Sequence, residues 1–219
     1  MLSERDAVAF IRGTTTIAAP PLVPELRLHL ATEITPIWQA TEEMLAQSGV
    51  PAPFWAFAWV GGQALARYLL DHAETVAGRE VLDFGSGSGL VAIAAARAGA
   101  ARVAASEIDP IAAAAIALNA TLNGVAIDIV TEDMLDASPL PCGVLLAGDV
   151  CYERPMAERV TNLLRRCAAR GSLVLLGDPG RTYLPCGGLV ERARYAVPVS
   201  RELEDREVRD GVVWEVLAA

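Results

Sequence analysis

"LDFGSGSGL", Leu82 to Leu90, is the stretch on which the reading of this chain turns. An apolar run enters it, glycine recurs at alternate positions, and an alanine-rich run leaves it. Glycines between a strand and a helix let backbone N–H groups approach a ligand at the helix N-terminus. Upstream, "EVLDF" (80–84) predicts a strand. Downstream, "LVAIAAARAG" (90–99) predicts a helix ended by Gly99 and "RVAASE" (102–107) a strand. "PIAAAAIALNATLNG" (110–124) predicts a helix, with Pro110 near its start and Gly124 past its end. "AIDIVT" (126–131) and "GVLLAGD" (143–149) predict strands, "RPMAERVTNLLRRCAAR" (154–170) an amphipathic helix, and "SLVLLGD" (172–178) a further strand. This alternation implies an α/β fold: a mostly parallel sheet with helices on both faces. No helix separates "ERARYAVPVS" from "GVVWEVL", so the chain is expected to end in an antiparallel hairpin.

The first 60 residues stand outside the alternation. They are expected to form an N-terminal extension packed on a core domain of residues 61–219. "SERDAVAFIRG" reads as a helix capped by Ser3, and "AAPPLVPEL" as a proline-rich connector. "PFWAFAWVGG" (53–62) sets four aromatics beside two glycines.

Composition narrows the chemistry. Of 219 residues, 53% are hydrophobic and the net charge is −9, so a sizeable core is available and a duplex nucleic-acid surface is disfavoured. The longest apolar runs, such as Ile111–Leu118, are too short to span a bilayer. The N-terminus lacks the apolar segment of a secretory signal. A cytoplasmic protein with no membrane contact is expected. Cys142, Cys151, Cys167 and Cys186 form no C-x-x-C pair and His29 and His72 are the only histidines, so no metal site is expected. The 18 basic residues are all arginine, which excludes a P-loop lysine and Schiff-base catalysis.

Glu107 closes the second predicted strand about 20 residues after Gly87, where an acid binds ribose hydroxyls in doubly wound folds. With the glycine loop, it points to a nucleoside cofactor. In the dinucleotide pattern G-x-G-x-x-G, starting at Gly85 puts Leu90 at the third glycine and fails. Starting at Gly87 the pattern passes through Gly89 and Ala92, with two extra residues after the strand. The D-x-G-x-G-x-G arrangement of Asp83, Gly85, Gly87 and Gly89 is the form expected for S-adenosylmethionine, with Asp83 reaching its amino-acid end directly or through water. A tight turn without a ligand is the plain structural alternative.

"GDVCYE" places Asp149 at the end of the strand beside the glycine-loop strand, and Tyr152 three residues on. Both lie at the sheet edge where such folds bind ligands. "GDPGR" sets Asp178 and Arg181 at the same edge, as channel residues or as a simple Asp-Pro-Gly turn.

Together, "FWAFAWVGGQALARYLLD", "VLDFGSGSG", "SEIDPIAAAAIALN", "GDVCYE" and "GDPGR" resemble the class I S-adenosylmethionine-dependent methyltransferases. Within that class they resemble the D-x-x-Y protein-lysine methyltransferases, nearest to the family that modifies the electron-transfer flavoprotein β-subunit, bacterial relatives included. The resemblance runs from about Pro24 to Trp214. It departs at Val60, where the family usually has proline.

The resemblance implies a Rossmann-like, seven-stranded methyltransferase sheet and S-adenosylmethionine as cofactor. It implies that Gly85, Ser86, Gly87 and Gly89 cradle the cofactor and that Glu107, with Ile108, takes the ribose. Asp133 and the Met134 backbone would meet the adenine, and Trp59 would lie against the cofactor, unless Trp59 is a core aromatic. It implies a protein-lysine N-methyltransferase in which Asp149 and Tyr152 receive the amine. The expected partner is the flavoprotein β-subunit, with a ribosomal protein second. A small-molecule amine acceptor and a non-catalytic cofactor-binding module are the alternatives.

Overall fold

The computed structural model describes residues 4–31, 52–135, 142–199 and 207–218. Helix α1 (Glu4–Thr14) leads into a small antiparallel pair, β1 (Thr16–Ala18) and β2 (Leu28–Leu30). The cap expected at Ser3 lies outside the described residues. A 3-10 turn at Phe54–Ala56 precedes helix α2 (Val60–Asp71). Then come β3 (Glu80–Phe84), α3 (Leu90–Arg97), β4 (Arg102–Ser106), α4 (Pro110–Asn123), β5 (Asp128–Val130), β6 (Val144–Gly148), α5 (Arg154–Ala169), β7 (Leu173–Asp178), β8 (Leu189–Pro198) and β9 (Val208–Val216).

The main sheet has seven strands in the order β5-β4-β3-β6-β7-β9-β8. β3 to β7 run parallel, β9 is antiparallel to β7, and β8 pairs antiparallel with β9 at the edge. The α/β sheet with its C-terminal antiparallel hairpin is the one expected.

The strands alternate between two cores, as a period-2 backbone covered on both faces must. Val81, Val144, Leu146, Leu175 and Val213 face a cluster completed by α2 and α3. Leu82, Phe84, Leu145, Ala147 and Leu176 face the other, under the apolar stripe Val160, Leu163, Leu164 and Cys167 of α5. The N-terminal segment joins the first core through Val23, Leu26, Leu28 and Leu30. Asn119 of α4 ties that segment to the glycine loop: its Oδ1 accepts the His29 N–H at 2.8 Å, and its Nδ2 donates to the Ser88 carbonyl at 2.8 Å.

Helix α2 has no counterpart among the elements expected from the sequence, and the paired glycines of "WVGG" fall at its start. They stand in its first turn for a packing reason. A Cβ on Gly61 would lie 2.2 Å from the Gly177 carbonyl oxygen, and one on Gly148 would lie 3.0 Å from the Gly62 Cα. Gly148 and Gly177 are register partners on β6 and β7. Glycine meets glycine where the helix start presses on the sheet.

The reversal of strand order falls between β3 and β6. Ligand sites of open α/β sheets form at such a switch point, outside the carboxyl ends of the strands.

Candidate active site

β3 delivers the glycine loop to that switch point. Gly85, Gly87 and Gly89 all adopt left-handed φ, at 64°, 54° and 83°, where a Cβ is strained. Gly85 and Gly87 line the adjoining cavity. Gly89 instead caps α3 and packs on Ile116.

The Asp83 carboxyl, 1% exposed, turns back into the loop. Its Oδ2 accepts from the Ser86 hydroxyl and from the Ala92 N–H at 3.1 Å. Burial raises it from the usual carboxylate range to about 7. Neither Asp83 nor Ser86 lines the cavity, and Asp83 makes its hydrogen bonds within the loop. Its place is to brace the turn from β3 into α3.

Glu107 follows β4 directly and does face the cavity. Its Oε2 accepts the Gly87 N–H at 3.0 Å and its Oε1 the Asp109 N–H at 3.1 Å. Each oxygen retains further acceptor capacity. Asp109 caps α4 through the Ile111 N–H at 2.8 Å. Ile108, 61% exposed, stands at the rim. Beyond β5, Asp133 and the buried Met134 form the far wall. The Asp133 Oδ1 accepts the Leu135 N–H at 2.9 Å, and Arg159 of α5 lies 3.7 Å from its Oδ2. Arg159 was missed in the sequence, because nothing local links it to Asp133.

At the other end, Asp149 follows β6 with a φ of 57°, the sole non-glycine residue in the left-handed region among the described residues. Such a conformation costs about 1–3 kcal/mol and persists where surrounding contacts enforce it. Those contacts are visible. Its backbone N–H donates to the Gly177 carbonyl at 2.9 Å. Its Oδ2 accepts the Gly62 N–H at 2.7 Å, from the unpaired amides of the α2 start. Its Oδ1 lies 3.2 Å from Nη2 of Arg181. Burial nevertheless raises the Asp149 carboxyl to about 6, against the pull of Arg181 and the Gly62 amide.

Asp178 is fully buried and off the cavity wall. Its Oδ1 accepts the N–H groups of Gly180 and Arg181, each at 2.7 Å. Of the two readings of "GDPGR", the Asp-Pro-Gly turn describes Asp178, and that turn sets Arg181. Arg181 itself lines the cavity, its guanidinium carbon 5.9 Å from the Trp59 ring centroid.

Trp59 is on the cavity wall, with its indole N–H donating to the Phe54 carbonyl at 2.7 Å. Tyr152 is 48% exposed, and its ring stands 5.4 Å from that of Phe54. Phe54 was quoted in the aromatic block but not singled out. Cys151 is buried and its thiol is pushed up to about 12 by burial, so it is a core residue and not a nucleophile.

These groups enclose one cavity of about 480 Å³. Such a volume suits a nucleoside cofactor. Its glycines leave the backbone bare, Glu107 offers acceptors for ribose hydroxyls, and Asp133 offers an acceptor at the far end. S-adenosylmethionine fits this donor and acceptor set. Among the described residues no cluster of ligating side chains suits a metal ion.

Comparisons with known proteins agree. Residues 63–148 match the family model of ribosomal protein L11 methyltransferase (PrmA). A magnesium protoporphyrin IX methyltransferase from Synechocystis PCC 6803, solved with bound S-adenosylmethionine, superposes with a TM-score of 0.51 at 16% identity, covering 70% of this chain and 76% of that one. A ribosomal protein L11 methylase from Lactobacillus delbrueckii subsp. bulgaricus gives a TM-score of 0.50 at 22% identity, covering 72% and 78%. Both likenesses concern the fold. The electron transfer flavoprotein beta subunit lysine methyltransferase of Xenopus laevis is 36% identical, over 94% of this chain and 85% of its own length. That of Homo sapiens is 39% identical, over 96% and 82%. At this identity along nearly the whole chain, with the glycine loop, Glu107 and the Asp149–Tyr152 pair around one cavity, the chain belongs to the electron transfer flavoprotein beta subunit lysine methyltransferase family, the S-adenosylmethionine-dependent protein-lysine methyltransferases.

Proposed function

We propose that this methyltransferase modifies lysine in the β-subunit of electron transfer flavoprotein. In this reading Asp149 and Tyr152 orient the amine, and Gly85, Gly87, Glu107, Asp133 and Met134 hold the cofactor. The observation that carries the site assignment is the cavity itself. Glu107, Asp133, Asp149, Tyr152, Trp59 and Arg181 all line it, and Arg181 lies beside both Asp149 and Trp59.

S-adenosylmethionine supplies an electrophilic methyl group on a sulfonium. The protein's task is to bring a neutral amine in line with it, since alignment supplies much of the rate in such displacements. A lysine at its ordinary pKa of about 10.4 costs on the order of 4.6 kcal/mol to deprotonate at pH 7. Desolvation in the cavity and the nearby positive sulfur both lower that cost. Asp149, fixed by the Gly62 N–H, accepts a hydrogen bond from the amine and sets its direction. Phe54, Trp59 and Tyr152 form the aromatic wall along which the lysine stem runs.

The acceptor is a protein and not a nucleic acid, which the net charge of −9 supports. An acidic enzyme draws in a basic, exposed loop, and added salt weakens that steering. A cytoplasmic setting is part of the proposal, supported by cysteines that carry free thiols. A ribosomal protein is the second acceptor to test, suggested by the family model across residues 63–148.

The test is label transfer from radioactive S-adenosylmethionine to purified flavoprotein, then to variants with candidate lysines changed to arginine. The enzyme has no lysine side chain of its own to accept label. Loss of label with one or a few such changes is the expected result. Label on a β-subunit lacking every lysine, or none on the wild-type subunit with an active enzyme, refutes the assignment.

A further inference from the structure

The Asp149 carboxylate poses a problem that the fold answers. A lone carboxylate beside the substrate amine would stabilise the ammonium form, which has no lone pair with which to attack. Asp149 is not alone. Nη2 of Arg181 lies 3.2 Å from its Oδ1, while Oδ2 is taken by the Gly62 N–H at 2.7 Å.

Two contacts hold the guanidinium, the Asp149 carboxylate and the Trp59 ring, and a further one fixes the Arg181 backbone. The Arg181 backbone N–H is pinned by Asp178 Oδ1 at 2.7 Å. Its charged plane lies by the Trp59 ring. Its side chain is only 25% exposed, and its Nε is buried with no hydrogen-bond partner among the described residues. This is a built contact and not a loose surface pair.

We infer that Arg181 is a positioning residue that neutralises Asp149, so that the carboxylate aligns the substrate amine without holding it as an ammonium ion. The inference rests on the proposed role of Asp149 and deepens it. An incoming lysine meets a neutral ion pair, whose carboxylate still accepts an N–H and whose cation disfavours a second positive charge nearby. The ammonium releases its proton to water. The amine lone pair then forms the N–C bond to the methyl carbon, and the C–S bonding electrons return to sulfur. The products are the methylated ammonium, the thioether S-adenosylhomocysteine and the released proton.

The charged and titratable groups around Asp149 are Asp178 at the end of β7, Arg181 beyond it, and Cys151, Tyr152 and Glu153 after β6. Glu107 faces Tyr152 from β4, and Arg209 acts on Asp178 from β9. The start of α2 contributes only backbone amides from Gly61 and Gly62. Arginine keeps its charge throughout the range from pH 8 to 10. Burial raises both the Tyr152 hydroxyl and the Cys151 thiol above their ordinary ranges, which favours their protonated forms.

The experiment has two arms, with Arg181→Gln, Arg181→Lys and Asp149→Asn beside the wild type, and the purified flavoprotein β-subunit as acceptor. In the first, calorimetry in buffers of differing ionisation enthalpy counts protons released when acceptor binds enzyme saturated with S-adenosylhomocysteine. No turnover and no sulfonium are involved. Arg181→Gln should release about twofold fewer protons at pH 8 than wild type, and Arg181→Lys should restore release. In the second, Arg181→Gln should lose about tenfold in kcat at saturating acceptor at pH 8, the equivalent of one pKa unit in the bound complex, and come within about threefold of wild type at pH 10. Unchanged proton release with a loss that is flat in pH would assign Arg181 a purely structural role and overturn the inference. Wild-type turnover in Asp149→Asn would instead remove Asp149 from the site and take the inference with it.

Discussion

Adjacent glycines at the start of α2 carry opposite predictions. An added Cβ at Gly61 meets the Gly177 carbonyl oxygen at 2.2 Å, its carbon at 2.5 Å and the Asp149 Oδ2 at 2.8 Å. The first two are backbone atoms of a central strand and cannot swing aside. At Gly62 the nearest atoms lie at 3.8 Å or more, an ordinary contact. Both positions gain from replacing glycine in a helix, by up to about 1 kcal/mol and less in a first turn. For Gly61→Ala, relief requires the helix start to retreat by about 1 Å, at an overpacking cost of about 1–3 kcal/mol. That retreat also stretches the Gly62 N–H to Asp149 bond of 2.7 Å. Losing a hydrogen bond to a buried charge costs a further 1–3 kcal/mol or so. With about 2–4 °C per kcal/mol for a chain of this length, Gly61→Ala should melt roughly 5–15 °C below wild type. Gly62→Ala should melt within about 2 °C of wild type or slightly above it. Thermal unfolding followed by fluorescence and circular dichroism measures both, and methyl transfer at 25 °C shows whether Asp149 has lost its anchor. Equal melting points for the two variants would refute the glycine-on-glycine account of how α2 is seated.

Gly87→Val should fold yet lose cofactor binding by calorimetry, because its φ of 54° suits no β-branched residue and its backbone N–H serves Glu107. Asp149→Asn tolerates the same left-handed backbone and should keep cofactor affinity within a few-fold, while kcat/KM falls roughly 10- to 150-fold; a near-wild-type value would exclude Asp149 from the reaction. Tyr152→Phe should cost less than that if the ring serves as a wall, which the Phe54 contact supports. Asp83→Asn tests linkage. The Asp83 carboxyl is raised by burial to about 7 from an unfolded value of about 3.9, so between those values the folded state binds the extra proton. Its stabilising contribution is full below the unfolded value and is lost as pH rises toward 7. Asn keeps the acceptor for the Ala92 N–H without the charge. Its melting point should therefore gain on wild type as pH rises from 5 to 8, and a pH-independent difference would refute the linkage.

Much of this protein was legible in its sequence because the signals are local. Gly85, Gly87 and Gly89 announce a turn that needs left-handed φ, and Asp109-Pro110 and Gly124 mark the ends of α4. Alternating apolar runs declare strands covered on both faces, and their spacing yields a sheet edge with Glu107 and Asp149 on it. What the sequence could not decide was how distant groups share one carboxylate. Asp149 takes its hydrogen bond from Gly62, 87 residues upstream, and its counter-charge from Arg181, 32 residues downstream. Asp178 bonds the amides of its own turn, as a short acid there can, while Asp83 bonds the Ser86 hydroxyl and the Ala92 N–H across the loop. Local patterns set which backbone shapes are affordable. The charge state of Asp149 is decided only when α2, β6 and the turn after β7 pack together, because burial and pairing are properties of the assembled core.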